Sequence, residues 1–135
     1  MDPEPRYVRS GFVMARLVNP IVERLGGTLV LIVVGRKTGR PRTVPLGRPF
    51  EVDGIRYLVA GGGETQWVRN LRVAGGGRIR FQGVTTPFLA VEIEGPERDR
   101  IVAAYRVKQG RTVDGFFRQL PELADHPVFR VDPIA

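Results

Sequence analysis

TLVLIVVGRKTGRPRTVPLGRPFEVDGIRYLVA, residues 28–60, is the stretch on which the architecture turns. Leu29 to Val34 is the longest apolar run in the chain; it is rich in β-branched residues and reads as a buried strand. GRKTGRPRTVP, residues 35–45, then carries four cationic side chains, two glycines, two prolines and no carboxylate. An extended pattern resumes over residues 43–51, where Pro45 and Pro49 indicate an edge or irregular strand. Asp53-Gly54 is a two-residue hairpin signal and delivers the chain into a third strand over residues 55–60.

On the N-terminal side, residues 11–25 place Phe12, Val13, Leu17, Ile21 and Leu25 at helical spacing, interrupted at Asn19-Pro20. Arg9, Arg16 and Arg24 flank that apolar face, a pattern that also suits weak association with a membrane surface. On the C-terminal side, the glycines at 61–63 introduce the helical pattern ETQWVRNLRVA, and those at 75–77 end it. RIRFQGV and TPFLAVEIE read as two strands turning near Gly83 to Thr86. Gly95-Pro96-Glu97 starts a helix with Ile101, Val102 and Tyr105 on its apolar face. A short helix over residues 113–120 and a strand at PVFRV complete the chain. Strands joined mostly by hairpins and short helices favour an antiparallel sheet closing into a small barrel. The expected fold is mainly β with flanking helices (α+β), a single domain over residues 1–135.

Composition narrows the chemistry. The chain has no cysteine, one histidine, His126, and one serine, Ser10, so thiolate chemistry is excluded and a Ser-His hydrolase is poorly served. No metal site is expected, since His126 is flanked only by Asp125 and Pro127. A catalyst of this composition would draw its chemistry from a bound cofactor. The net charge of +7 favours an anionic partner. Only Lys37 and Lys108 are lysine; the other cations are arginine, which suits bidentate recognition of phosphate and carboxylate. The N-terminus, with acids and prolines and no basic-then-apolar run, does not read as a secretory signal, and the cytoplasm is the expected location, with the inner membrane face as an allowed periphery.

Two stretches bring chemistry together. GRKTGRPR leaves a buried strand with enough Gly for close backbone approach, and it lacks the Walker spacing. GGGETQWVRN offers backbone amides at a helix start, a flat apolar wall in Trp67 and a donor-acceptor in Asn70. Both can meet at one barrel rim.

This pairing, with the V-x-P-L segment and W-x-x-N-L, resembles the deazaflavin-dependent nitroreductase family over roughly residues 12–105. That family has the split β-barrel fold of the FMN-binding-like superfamily. The resemblance implies coenzyme F-420, an 8-hydroxy-5-deazaflavin with a phosphate and a polyglutamate tail; FMN is the alternative. It implies that Arg36, Lys37, Thr38, Gly39 and Arg42 hold phosphate and tail, and that Val44 and Pro45 line the ring's approach. Ala60, Gly61, Gly62 and Gly63 would offer amides to the deazaflavin edge, with Trp67 and Asn70 completing that wall. The implied activity is hydride transfer to a small-molecule substrate: a quinone, a nitroaromatic or an activated double bond. The chain departs from the family in its short GGGETQW connection, and in having Phe116 and Phe117 where relatives carry phenols, which leaves Tyr105 as the candidate proton donor. A non-catalytic carrier of a deazaflavin, flavin or tetrapyrrole is a second reading. A basic nucleic-acid-binding module is a third, weakened because few aromatics interleave with the cations, so no nucleic-acid partner is expected. The assembly is expected to be a monomer or a homodimer.

Overall fold

The computed structural model describes residues 27–134. The helix expected over residues 11–25, its membrane-surface role and Ser10 therefore lie outside the described residues. Seven strands make up one antiparallel sheet: β1 (Val30–Val34), β2 (Pro41–Pro45), β3 (Phe50–Val52), β4 (Ile55–Val59), β5 (Gly76–Phe81), β6 (Val84–Ile93) and β7 (Val128–Pro133). Their order is β2-β1-β5-β6-β7-β4-β3, and the sheet curls into a half-barrel, in keeping with the split-barrel expectation. The helices are α1 (Gln66–Ala74), α2 (Gly95–Gln109) and α3 (Asp114–Gln119), with single 3-10 turns at Gly110–Val113 and Leu123–Asp125.

The extended segment expected over 43–51 is in fact two strands on opposite edges of the sheet. Pairing begins earlier, at Pro41, and breaks after Pro45; Gly47, at φ 78°, redirects the chain. Mutual hydrogen bonds of Leu29 with Leu46 and Gly47 pin this crossing. Both prolines of β2 sit on an edge strand, where a missing N–H costs no ladder bond. Asp53 and Gly54 both take positive φ, as a tight hairpin requires. The β5–β6 turn falls at Gln82-Gly83, also both at positive φ, slightly ahead of the expected position.

Alternation along the strands divides the core between two faces. Leu29, Leu31, Val33, Leu58, Ile79, Phe88, Phe129 and Val131 pack on one face against Trp67, Val68 and Leu71 of α1. Phe50, Tyr57, Ile93 and Val128 pack on the other against Ile101 and Val102 of α2 and Phe117 of α3. Pro96 in the first turn and Glu97 behind it start α2 as the sequence indicates. His126, fully buried, lies between two main-chain carbonyls, with Nε2 2.6 Å from Leu120 O and Nδ1 3.2 Å from Ala60 O. Its ring stacks on Phe117 at 4.4 Å, so the lone histidine ties the helical layer to the end of β4.

Among the described residues no helix is long and apolar enough to cross a membrane, and no group of three or more acidic, His or Cys side chains could hold a metal ion.

Candidate functional site

Residues 35–40 form the turn between β1 and β2. Gly35 N–H donates to Arg40 O and Gly39 N–H to Gly35 O, each at 2.8 Å. Thr38 Oγ1 accepts from Arg40 N–H at 3.2 Å. Gly39 needs its positive φ of 71°, and a Cβ on Gly35 would come within 2.9 Å of Thr38 Oγ1. The two glycines thus let a short turn close while its cationic side chains stay outside. Lys37, Thr38, Arg40 and Arg42 are exposed, and Arg36 is half-buried.

Facing this turn is α1. Arg72 holds that helix in place: its guanidinium reaches Glu92 of β6 at 2.8 and 2.9 Å and Glu64 at 2.9 and 3.1 Å. Those bonds, to Glu92 first and then Glu64, hold it above the usual arginine range. Asn70 is buried, and its Oδ1 accepts from the Arg36 backbone N–H at 3.1 Å and from Arg36 Nη1 at 2.8 Å. One acceptor thereby fixes both the backbone and the guanidinium of the basic turn, 34 residues away in sequence.

Turn and helix enclose a cavity of about 390 Å³, lined by Gly35, Arg36, Lys37, Thr38, Arg42, Thr43, Val44, Gln66, Trp67 and Asn70. That volume lies within the usual size of small-molecule sites. Trp67 gives the cavity an apolar wall while its body packs in the core, 6.1 Å from Phe129. No side chain caps α1, so its first-turn amides leave an electropositive end beside Gln66 and Trp67. Thr65 Oγ1, at that end, is buried and finds no partner among the described residues.

Seven residues expected at the site line this cavity together: Arg36, Lys37, Thr38, Arg42, Val44, Trp67 and Asn70. Gly39 shapes the turn without lining the cavity, and Pro45 is buried at the β1 edge, paired with Val30. The triglycine does not do what was expected of it. The helix starts at Gln66, not at the glycines. Three of the four amides from Ala60 to Gly63 are taken up internally: Ala60 by Pro127 O, Gly61 by Val59 O and Gly63 by Ala60 O. A Cβ on Gly61 would lie 2.9 Å from Phe116, so that glycine serves packing against α3. The electropositive helix end expected there is supplied instead by Gln66 and Trp67.

Tyr105 also moves off the site. It sits on α2, edge-on to Phe50 at 5.3 Å, in the core of the opposite sheet face from Trp67. Burial pushes its phenol up to about 12. A folded-state value above the unfolded one means that stability is intact below pH 10 and falls as pH rises toward 12. We expect Tyr105→Phe to leave turnover unchanged and to abolish an alkaline loss of about 2–3 kcal/mol, read from denaturant midpoints at pH 9 and 12.

Gln66, Gly35 and Thr43 were not expected at the site. Gln66 precedes the tryptophan and could have been found by extending the wall back to the helix's first turn. Asn70→Ala should cost about 1–3 kcal/mol by thermal melt, because both Arg36 donors lose their buried acceptor; Asn70→Asp should restore most of it.

A family model described as F420H(2)-dependent quinone reductase matches residues 8–114. Among solved structures, an F420-H2 dependent reductase, FDR-A, is 24% identical, with a TM-score of 0.61 over 79% of this chain and 95% of that one. HutZ, the heme storage protein from Vibrio cholerae, is 18% identical, with a TM-score of 0.60 over 85% and 87%. A structure described as a domain-swapped dimer is 22% identical, with a TM-score of 0.61 over 91% and 98%. At these identities the likeness is one of fold. No curated protein matches the chain.

Proposed function

We propose that this chain, which belongs to the F420H(2)-dependent quinone reductase family, binds coenzyme F-420 in the groove between the 35–40 turn and α1. There it would direct hydride to a quinone, nitroaromatic or activated double bond. The observation that carries the reading is the convergence of Arg36, Lys37 and Arg42 with Trp67 in one cavity. A polyanionic coenzyme with a flat apolar ring needs both halves, and either alone would serve a simpler ligand.

The donor set fits the coenzyme. Arg36, fixed by Asn70, presents a guanidinium whose direction is set before any ligand arrives. Lys37 and Arg42 on the exposed rim suit phosphate and carboxylate oxygens, Lys37 as a point charge and Arg42 as a fork. Trp67 and Val44 give an apolar surface for a ring, and the uncapped end of α1 favours partial negative charge beside it. When bound, reduced F-420 supplies the hydride. The chain's own residues bind and orient: the turn grips the charged tail, and Trp67 limits water at the ring face. Among the described residues no side-chain acid lines the cavity, and a proton for the product would come from solvent. The partner is a small-molecule substrate, and the chain acts alone or as a homodimer.

The test is turnover. Reduced F-420 mixed with menadione and catalytic protein should lose its reducing equivalents at a rate proportional to protein, and FMN should not replace it. Tight binding without turnover across quinones, nitroaromatics and enones would instead identify a carrier.

A further inference from the structure

A second cavity, of about 570 Å³, opens at the other end of the half-barrel, beside the β3–β4 hairpin. It shares no residue with the cavity at the basic turn. The strand registers set the two apart: the basic turn follows Val34, whereas this cavity lies at the end of the sheet where Val30 pairs with Arg80 and Ile79 with Thr86. Ile79, Phe88 and Val131, all buried, make its apolar floor.

Four charged side chains line the rim, and they are not used alike. Arg130 and Asp132 close on each other through paired contacts of 2.7 and 3.0 Å, leaving neither in need of a ligand. Arg56 makes one long contact, Nη2 to Glu51 Oε1 at 3.5 Å. Its Nε is buried and finds no hydrogen-bond partner among the described residues. Arg56 shares its face of β4 with Leu58, a core residue of the barrel interior, so the guanidinium stem runs along the apolar floor. A buried cationic N–H without an acceptor is a costly group to retain unless something supplies the acceptor. The two arginines and two carboxylates of the lining cancel, so an anion meets Glu51 and Asp132 while a cation meets Arg56 and Arg130.

We propose that this cavity is a second ligand site, separate from the coenzyme groove, that takes a small uncharged molecule with an apolar body and one carbonyl oxygen. The body rests on Ile79, Phe88 and Val131, and the oxygen accepts from Arg56 Nε–H.

Acetophenone is a suitable probe, with ethylbenzene as the same shape lacking the acceptor and benzoate as the charged analogue. In ¹⁵N-labelled full-length protein, acetophenone should shift the Arg56 Nε–Hε signal and the Ile79 and Val131 signals saturably, leaving residues 35–44 unmoved. Ethylbenzene and benzoate should each bind at least tenfold more weakly, and Arg56→Lys, which keeps the charge but loses Nε–H, should weaken acetophenone by a similar factor. Three results would each overturn the proposal: equal binding of ethylbenzene, shifts confined to residues 35–44, or an Arg56 Nε–H that exchanges with water and ignores the probe.

Discussion

Replacing Lys37 and Arg42 together by alanine is expected to raise the dissociation constant for F-420 about 30- to 700-fold while leaving the melting temperature within a degree or two. Both side chains are exposed, and among the described residues neither has a carboxylate partner, so the fold loses little. Each should contribute about 1–2 kcal/mol through a charge-assisted hydrogen bond to phosphate or tail, and every 1.4 kcal/mol is about tenfold in affinity. The wild-type affinity should also fall as salt is raised, and the double variant should show a flatter dependence. Arg36 is the wrong choice for this test, because its guanidinium also satisfies buried Asn70 and its loss would mix folding with binding. An unchanged affinity in the double variant would remove the turn from the site.

The largest effect on stability is expected at Gly77. It lies in β5 between β1 and β6, where a Cβ would meet the Ile32 carbonyl oxygen at 2.5 Å; its neighbour Gly76 would meet Phe88 O at 2.4 Å on the other side. Both obstacles are main chain of central strands, so neither can swing away as a side-chain end would. Gly77→Ala should cost about 3 kcal/mol or more and lower the melting temperature by roughly 10 °C, measured by calorimetry. Gly115→Ala is the contrasting control. It lies in α3 with only Arg118 Nη2 nearby, at 3.7 Å, and should be neutral or stabilise by up to about 1 kcal/mol.

These glycines show what the sequence could and could not disclose. A triplet at 75–77 marks a helix end, and Gly75 does end α1 with a left-handed φ of 75°. That the next two glycines are demanded by strand approach depends on Ile32 and Phe88, far away in sequence, and no local pattern carries it. The triplet at 61–63 has the same composition, yet the amides of Gly61 and Gly63 fold back into a turn, so proximity to a helix was mistaken for membership of it. The succession of strands along the chain was mostly legible because Asp53-Gly54 and the apolar run at 29–34 are local signals. The split of residues 43–51 between opposite edges was not, because it hangs on the backbone of Gly47.

The site divides along the same line. Charge, glycine and one tryptophan announced Arg36, Lys37, Arg42 and Trp67 as partners, and the structure brings them into one cavity. The resemblance assigned Asn70 to a ring wall, but its oxygen is committed to Arg36, a contact visible only in three dimensions. Tyr105 was a candidate proton donor through the resemblance alone; periodicity placed it on the apolar face of α2, and there it packs against Phe50. The cavity at Arg56 left no trace in sequence, since β-strand alternation gives a charged residue on the inner face no special mark.

Trp67 is the only tryptophan of the chain and lines the cavity proposed for the coenzyme, so its fluorescence should report on occupancy there. Titration with oxidised F-420 should quench it saturably at one equivalent, with FMN at least tenfold weaker. Absence of quenching by F-420, or FMN binding as tightly, would contradict the assignment of this groove to the deazaflavin.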